Sequence, residues 1–180
     1  MNMWQSFLLF VLAATMAGLA FAAESSPLPV VASVDLVKYA GKWHELARLP
    51  NRFQRACASD VTASYILRPD GKIEVLNQCR RSDGKIMSAK GTARVASKDG
   101  PNSKLKVSFF WPFSGNYWII DLDSEYQWAV VGEPGRSYLW VLSRSETMNA
   151  QLLQQILDRA KQQGFDTSKI IFSKPPSSSD

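Results

Sequence analysis

The sequence contains one histidine, His44, and two cysteines, Cys57 and Cys79. A histidine-dependent triad has a single choice of base, and a zinc site of the usual kind lacks its set of ligands. There is no Gly-x-Ser-x-Gly elbow and no phosphate-binding loop, which removes the commonest signatures of hydrolase and nucleotide chemistry. No arginine-lysine block, RNA-binding aromatic motif or zinc-finger spacing occurs, so nucleic acid is not an expected partner. No metal and no cofactor is called for. Asp121 and Asp123 share a face at i, i+2, with Glu125 close by. They lie where a strand runs into a turn, the ordinary place for solvated or backbone-capping acids, so a glycosidase-like carboxylate pair is the weaker reading. His44 follows Trp43 directly, so in a strand the two point to opposite faces.

What is present is enough apolar material for a core. Of 180 residues, 46% are hydrophobic and 11% aromatic, which suits one domain better than two. The net charge of +5 is compatible with solubility and with approach to an anionic membrane face. Phe7 to Ala22 is an uncharged apolar run ending in Ala20-Phe21-Ala22, a small-x-small pattern before a polar stretch. This reads as an export signal cleaved after Ala22, with a retained anchor as the alternative. The run has no cysteine, hence no lipobox thiol to carry a lipid. The expected protein is exported and soluble, periplasmic or secreted. In that setting Cys57 and Cys79 are expected to pair, closing a loop of about 22 residues with roughly 3 kcal/mol of stabilisation.

The segments divide as 1–22, signal peptide; 23–33, an extended entry with Pro27 and Pro29; 34–173, one domain; and 174–180, a disordered tail. Within the domain, short strands alternate with turn signals. Val61–Leu67 alternates, and Asp70-Gly71 supplies a hairpin turn. Ile73–Cys79, Lys85–Ala96, Lys104–Trp111, Tyr117–Asp123, Gln127–Gly132 and Ser137–Arg144 follow. With the Trp43 segment this makes eight strands joined by short links, which favours an antiparallel sandwich or an up-and-down barrel. A closed meander has no exposed edges. Leu152, Leu153, Ile156, Leu157 and Ala160 then form one helical stripe, startable by Thr147 or Asn149 and ended by Gly164. The helix needs a surface to cover, most simply the outside of the sheet. Ser168–Ser173 reads as a last strand.

Trp43, Trp111, Trp118, Trp128 and Trp140 all fall in or at expected strands, and Tyr138, Trp140, Leu142 and Arg144 share a face. Aromatics on an inner face suit an apolar ligand with a polar head. They equally suit a solid core.

Gly41-Lys42-Trp43 followed by Glu45-Leu46-Ala47-Arg48, the stretch Asp123–Val131, and Tyr138–Arg144 occur in that order. Together they resemble the three signatures of the lipocalins, closest in pattern to the bacterial lipocalin group, which also resembles apolipoprotein D. The resemblance implies an eight-stranded antiparallel barrel with a C-terminal helix packed outside. It implies that Gly41, Trp43 and Arg144 form the closed end, with the arginine across the indole face, a contact of about 0.5–2 kcal/mol. Trp140 then points into the cavity, with Tyr138, Trp128, Tyr117, Phe109 and Tyr65 as further ligand-binding candidates. The ligand class implied is a small hydrophobic or amphipathic molecule such as a fatty acid or lysophospholipid, carried for lipid transport and membrane maintenance. Transient contact with a membrane surface and a homodimer sharing the pocket mouth are further expectations, and outer-membrane association follows from the resemblance alone. The alternative is a lipocalin-fold enzyme of isomerase or de-epoxidase type.

Overall fold

The computed structural model describes residues 26–174. The expected signal peptide and all but Lys174 of the expected tail lie outside the described residues. Nine strands and two helices follow in the order α1 (Leu36–Tyr39), β1 (Gly41–Arg48), β2 (Ser59–Leu67), β3 (Ile73–Arg80), β4 (Ile86–Val95), β5 (Lys104–Phe110), β6 (Phe113–Leu122), β7 (Trp128–Gly132), β8 (Leu139–Ser143), α2 (Ala150–Gln162) and β9 (Ile171–Phe172). Each of β1 to β7 pairs antiparallel with its successor, and β8 pairs with β1, so eight strands close into a barrel. The short β9 adds alongside β1 at Ala47 and Arg48, where β1 has parted from β2.

Alternation along the strands sorts the apolar residues into two cores. Trp43, Ala63, Tyr65, Val75, Leu105, Ile119, Val131 and Leu142 pack inside the barrel. Ala47, Ile120, Val130, Leu139 and Val141 face outward and pack on Ile156, Leu157 and Ala160 of α2. The helix begins at Asn149, whose side chain accepts from the N–H groups of Gln151 and Leu152, and ends before Gly164 at φ +92°. That positive φ is the helix-ending conformation glycine tolerates.

Most strand boundaries fall within two residues of the sequence pattern, and the larger differences have local causes. The strand expected to reach Trp111 stops at Phe110, and β6 begins at Phe113, well before the expected Tyr117. The β5–β6 turn is therefore just Trp111-Pro112, so Trp111 lies in a turn rather than a strand. Proline cannot donate to a ladder, which explains why pairing breaks there. Ser168–Ser173 contains a strand of only two residues, Ile171–Phe172, after a 3-10 turn at Thr167–Lys169. The entry segment is followed by α1, which the pattern did not suggest. Asp35 caps it by accepting from Val37 and Lys38 N–H.

The links after β2, β4, β6 and β8 lie with α1 at one end of the barrel. Those after β1, β3, β5 and β7 lie at the other. The entry segment is tied to the α1 end: Asn102 bonds both backbone groups of Val34, and Ser103 donates to Val31 O.

Candidate functional site

At the α1 end the barrel is plugged. Trp43 is wholly buried and its indole N–H donates to Tyr39 O at 2.8 Å. The Arg144 guanidinium lies 3.8 Å from the centre of the Trp43 ring. It also donates to Lys42 O at 2.9 Å, Lys38 O at 2.7 Å and Ala40 O at 2.9 Å. Those carbonyls include the ones left without partners where α1 ends, so Arg144 fastens the helix across the opening as well as covering the indole. Gly41 holds φ +97°, and a Cβ there would stand 3.2 Å from Arg144 Nη1. Glycine supplies both the backbone conformation and the room.

Just inside the plug three tyrosines meet. The Tyr117 hydroxyl is 2.7 Å from that of Tyr39 and 2.8 Å from that of Tyr65. Burial raises all three pKa values, that of Tyr65 to about 12. Two of the expected ligand contacts, Tyr65 and Tyr117, therefore belong to a hydrogen-bonded layer above Trp43.

Farther along, Trp140 and Phe109 are half-buried against the inner core. The Trp140 indole donates to Gln54 Oε1 at 2.9 Å, and its ring stacks on Tyr138 with planes 9° apart. Tyr138 in turn meets Phe53, which is exposed, so these two mark the rim. Trp128 is the exception. It packs against the outer core beside α2, with Arg159 5.3 Å from its ring. The strand pairing explains the correction: Ala129 and Val131 face inward, so Trp128 and Val130 face out.

The disulfide Cys57–Cys79 joins the link after β1 to β3 at the rim end. His44 sits opposite Thr62 and Ser143, half-buried in a shallow outer cleft with Lys42, Gln78 and Glu146. Burial and Lys42 lower its pKa from 6.5. Asp121 pairs with Arg159 at 2.7 Å on the outer side, and Asp123 accepts from Glu125 and Gln127 N–H in its turn. Both acids are thus engaged in structural bonds. A second outer cleft, lined by Lys38, Glu125, Tyr126 and Arg144, lies beyond the plug.

Comparison with known proteins agrees with this geometry. Residues 34–175 match the lipocalin-like domain. The chain belongs to the lipocalin family. This lipocalin is 41% identical over 177 residues to the outer membrane lipoprotein Blc of Escherichia coli K12, covering 95% of this chain and 99% of that one. It is 31% identical over 179 residues to apolipoprotein D of Macaca fascicularis, covering 91% and 93%. Insecticyanin from the tobacco hornworm Manduca sexta superposes with a TM-score of 0.64 at 21% identity, over 84% of this chain and 85% of that one. Among the described residues of this lipocalin, no helix is long and apolar enough to cross a membrane.

Sequence reasoning missed several residues that the barrel brings to prominence. Tyr39 lies on the unforeseen α1. Gln54 reaches Trp140 from a 3-10 turn. Glu45 and Arg48 are both buried, although charge would ordinarily place them outside. The exposed aromatics Phe110 and Phe113 flank a turn that was expected elsewhere.

Proposed function

We propose that this lipocalin binds a small hydrophobic or amphipathic molecule, a fatty acid or lysophospholipid, within the barrel and carries or stores it in the cell envelope. The supporting observation is the difference between the two ends. One is plugged by Trp43, Arg144 and α1. Toward the other, Phe109 and Trp140 present half-buried aromatic surface on the inner wall, with Tyr138 at the rim. Burial of an acyl chain there contributes ~25 cal/mol per Å² of apolar surface removed from water. Tyr65 and Tyr117 form the base of the binding region. The protein acts as a binder rather than a catalyst: its single histidine is on the outer wall, away from the lined interior.

Loading takes place at a membrane surface. Phe110, Trp111 and Phe113 at the β5–β6 tip are 80%, 92% and 77% exposed, at the same end as the rim. Isolated apolar residues on a surface need no explanation, but three adjoining aromatics do. The loops at that end carry Arg52, Arg55, Arg81, Lys85 and Arg136 against Asp83 and Glu133. A basic rim around an aromatic tip suits an anionic lipid surface, whereas two such rims repel in a mouth-to-mouth homodimer. The exported location and removal of the leader after Ala22 are part of the same reading.

The test is native mass spectrometry of the protein purified from its own host, followed by fluorescence titration of delipidated protein with fatty acid and lysophospholipid. A copurifying lipid and saturable micromolar binding are expected. Absence of both counts against the reading. Turnover of a lipid or carotenoid substrate would favour an enzyme instead.

A further inference from the structure

The barrel interior contains a charged pair that closing the barrel does not require. β1 has a bulge between Glu45 and Ala47, which changes which face its residues present. Glu45 lies opposite Leu142 and Arg48 opposite Trp140, whereas Ala47 lies opposite Val141. Leu142 and Trp140 belong to the inner face and Val141 to the outer. Glu45 and Arg48 therefore both face inward, with side chains only 3% and 9% exposed.

The bonds around this pair are unbalanced. Arg48 Nη1 donates to Glu45 Oε1 at 3.0 Å. The Gln54 amide donates to Glu45 Oε2, and the Ser173 hydroxyl to Glu45 Oε1. Gln54 Oε1 accepts from both Trp140 and Asn51. Every acceptor in the cluster is thus occupied. The atom left over is a donor: Arg48 Nε is buried and has no acceptor among the described residues. A buried guanidinium N–H without an acceptor is costly and uncommon.

We propose that Arg48 receives the head of the bound amphiphile, its free Nε–H edge taking an oxyanion, carboxylate or phosphate. This rests on the container reading above and narrows its ligand class to anionic single-chain amphiphiles. A guanidinium has five N–H donors in a planar fork, so it serves Glu45 from one edge and a second oxyanion from another. Glu45 does not repel that head strongly, because three donors already meet its charge. The head then sits inside the barrel beside Trp140, with the acyl chain against the inner aromatic wall. A cationic head meets the arginine and is rejected.

The experiment measures displacement of the neutral probe N-phenyl-1-naphthylamine from delipidated full-length protein. The competitors are palmitate, a palmitoyl lysophosphatidylglycerol, hexadecanol and hexadecylamine. Palmitate and the lysophospholipid should bind at least tenfold more tightly than hexadecanol, and hexadecylamine most weakly. In the double variant Glu45→Gln/Arg48→Met, which leaves no unpaired buried charge, the acid and the alcohol should bind within about twofold of each other. Equal binding of palmitate and hexadecanol by the wild type overturns the head-group assignment while leaving the container reading intact. So does an acid preference that survives in the double variant. If that variant does not fold, the wild-type series alone decides. Displacement of the probe by inorganic phosphate at matching concentration overturns the amphiphile as the source of the oxyanion. Failure of all four lipids to bind overturns both readings.

Discussion

Replacing Arg144 by methionine keeps an apolar stem but removes the guanidinium, and with it the fastening of the plugged end. The group lost stacks 3.8 Å from the Trp43 ring centre and donates to the carbonyls of Lys38, Ala40 and Lys42 at 2.7–2.9 Å. The stacking is worth about 1 kcal/mol for a partly exposed cation. Hydrogen bonds from charged groups contribute about 1.5–3 kcal/mol when well buried. Here water reaches the site and takes over the released carbonyls, so about 0.5–1 kcal/mol each is the appropriate scale. The expected loss is about 2.5–4 kcal/mol, or about 5–15 °C in Tm for a domain near 150 residues. Urea unfolding followed by tryptophan fluorescence measures it, with an unchanged m-value expected. Arg144→Lys should recover less than half, because an ammonium cannot span those carbonyls and lie flat on the indole together. Fatty-acid affinity of the folded variant should stay within about threefold of wild type. A loss below 1 kcal/mol, a lysine variant equal to wild type, or a larger effect on affinity than on stability would refute the assignment of Arg144 to the closed end.

Trp140→Ala should weaken fatty-acid binding about 5–30-fold, from lost aromatic contact area, while circular dichroism shows the fold retained; unchanged affinity removes Trp140 from the pocket. Replacing Phe110, Trp111 and Phe113 together by serine should abolish cosedimentation with phosphatidylglycerol vesicles, and added salt should weaken that of the wild type; persistence in the triple variant points to another surface. Removing the Cys57–Cys79 bridge with paired serines should cost roughly 3 kcal/mol in urea unfolding, and an unaltered midpoint contradicts this. Tyr65 has a folded pKa of about 12, above the ordinary value of 10.0, so its contribution is intact below pH 10 and is lost as pH rises toward 12. Tyr39 and Tyr117 shift in the same direction. Absorbance at 295 nm should therefore show three tyrosines ionising only as the protein unfolds; reversible ionisation of all five near pH 10 speaks against the buried cluster.

Much of the architecture is legible in the sequence because it rests on local rules. Period-two alternation, turn pairs such as Asp70-Gly71 and the stripe from Leu152 to Ala160 specify strands, hairpins and the outer helix with little reference to distant residues. The pairing of Trp43 with Arg144 followed from a resemblance between ordered motifs. No spacing rule links residues about a hundred positions apart. Alternation failed where pairing is irregular. Arg48 faces inward only because of the bulge in β1, and Trp128, a ligand-binding candidate by the resemblance, faces outward in β7, whose parity is set by Ala129 and Val131 on the inner side.

The sequence by itself determined a chain of short antiparallel strands with one amphipathic helix, since hydrophobic period and turn chemistry act over a few residues. Only the tertiary structure decided what lies inside. The bulge in β1 turns Arg48 to the interior beside Glu45, barrel closure brings Tyr39, Tyr65 and Tyr117 into one hydroxyl cluster, and a two-residue turn exposes the aromatic tip beside the rim. Each depends on strand register, which is set by cross-strand contacts between residues far apart in the chain.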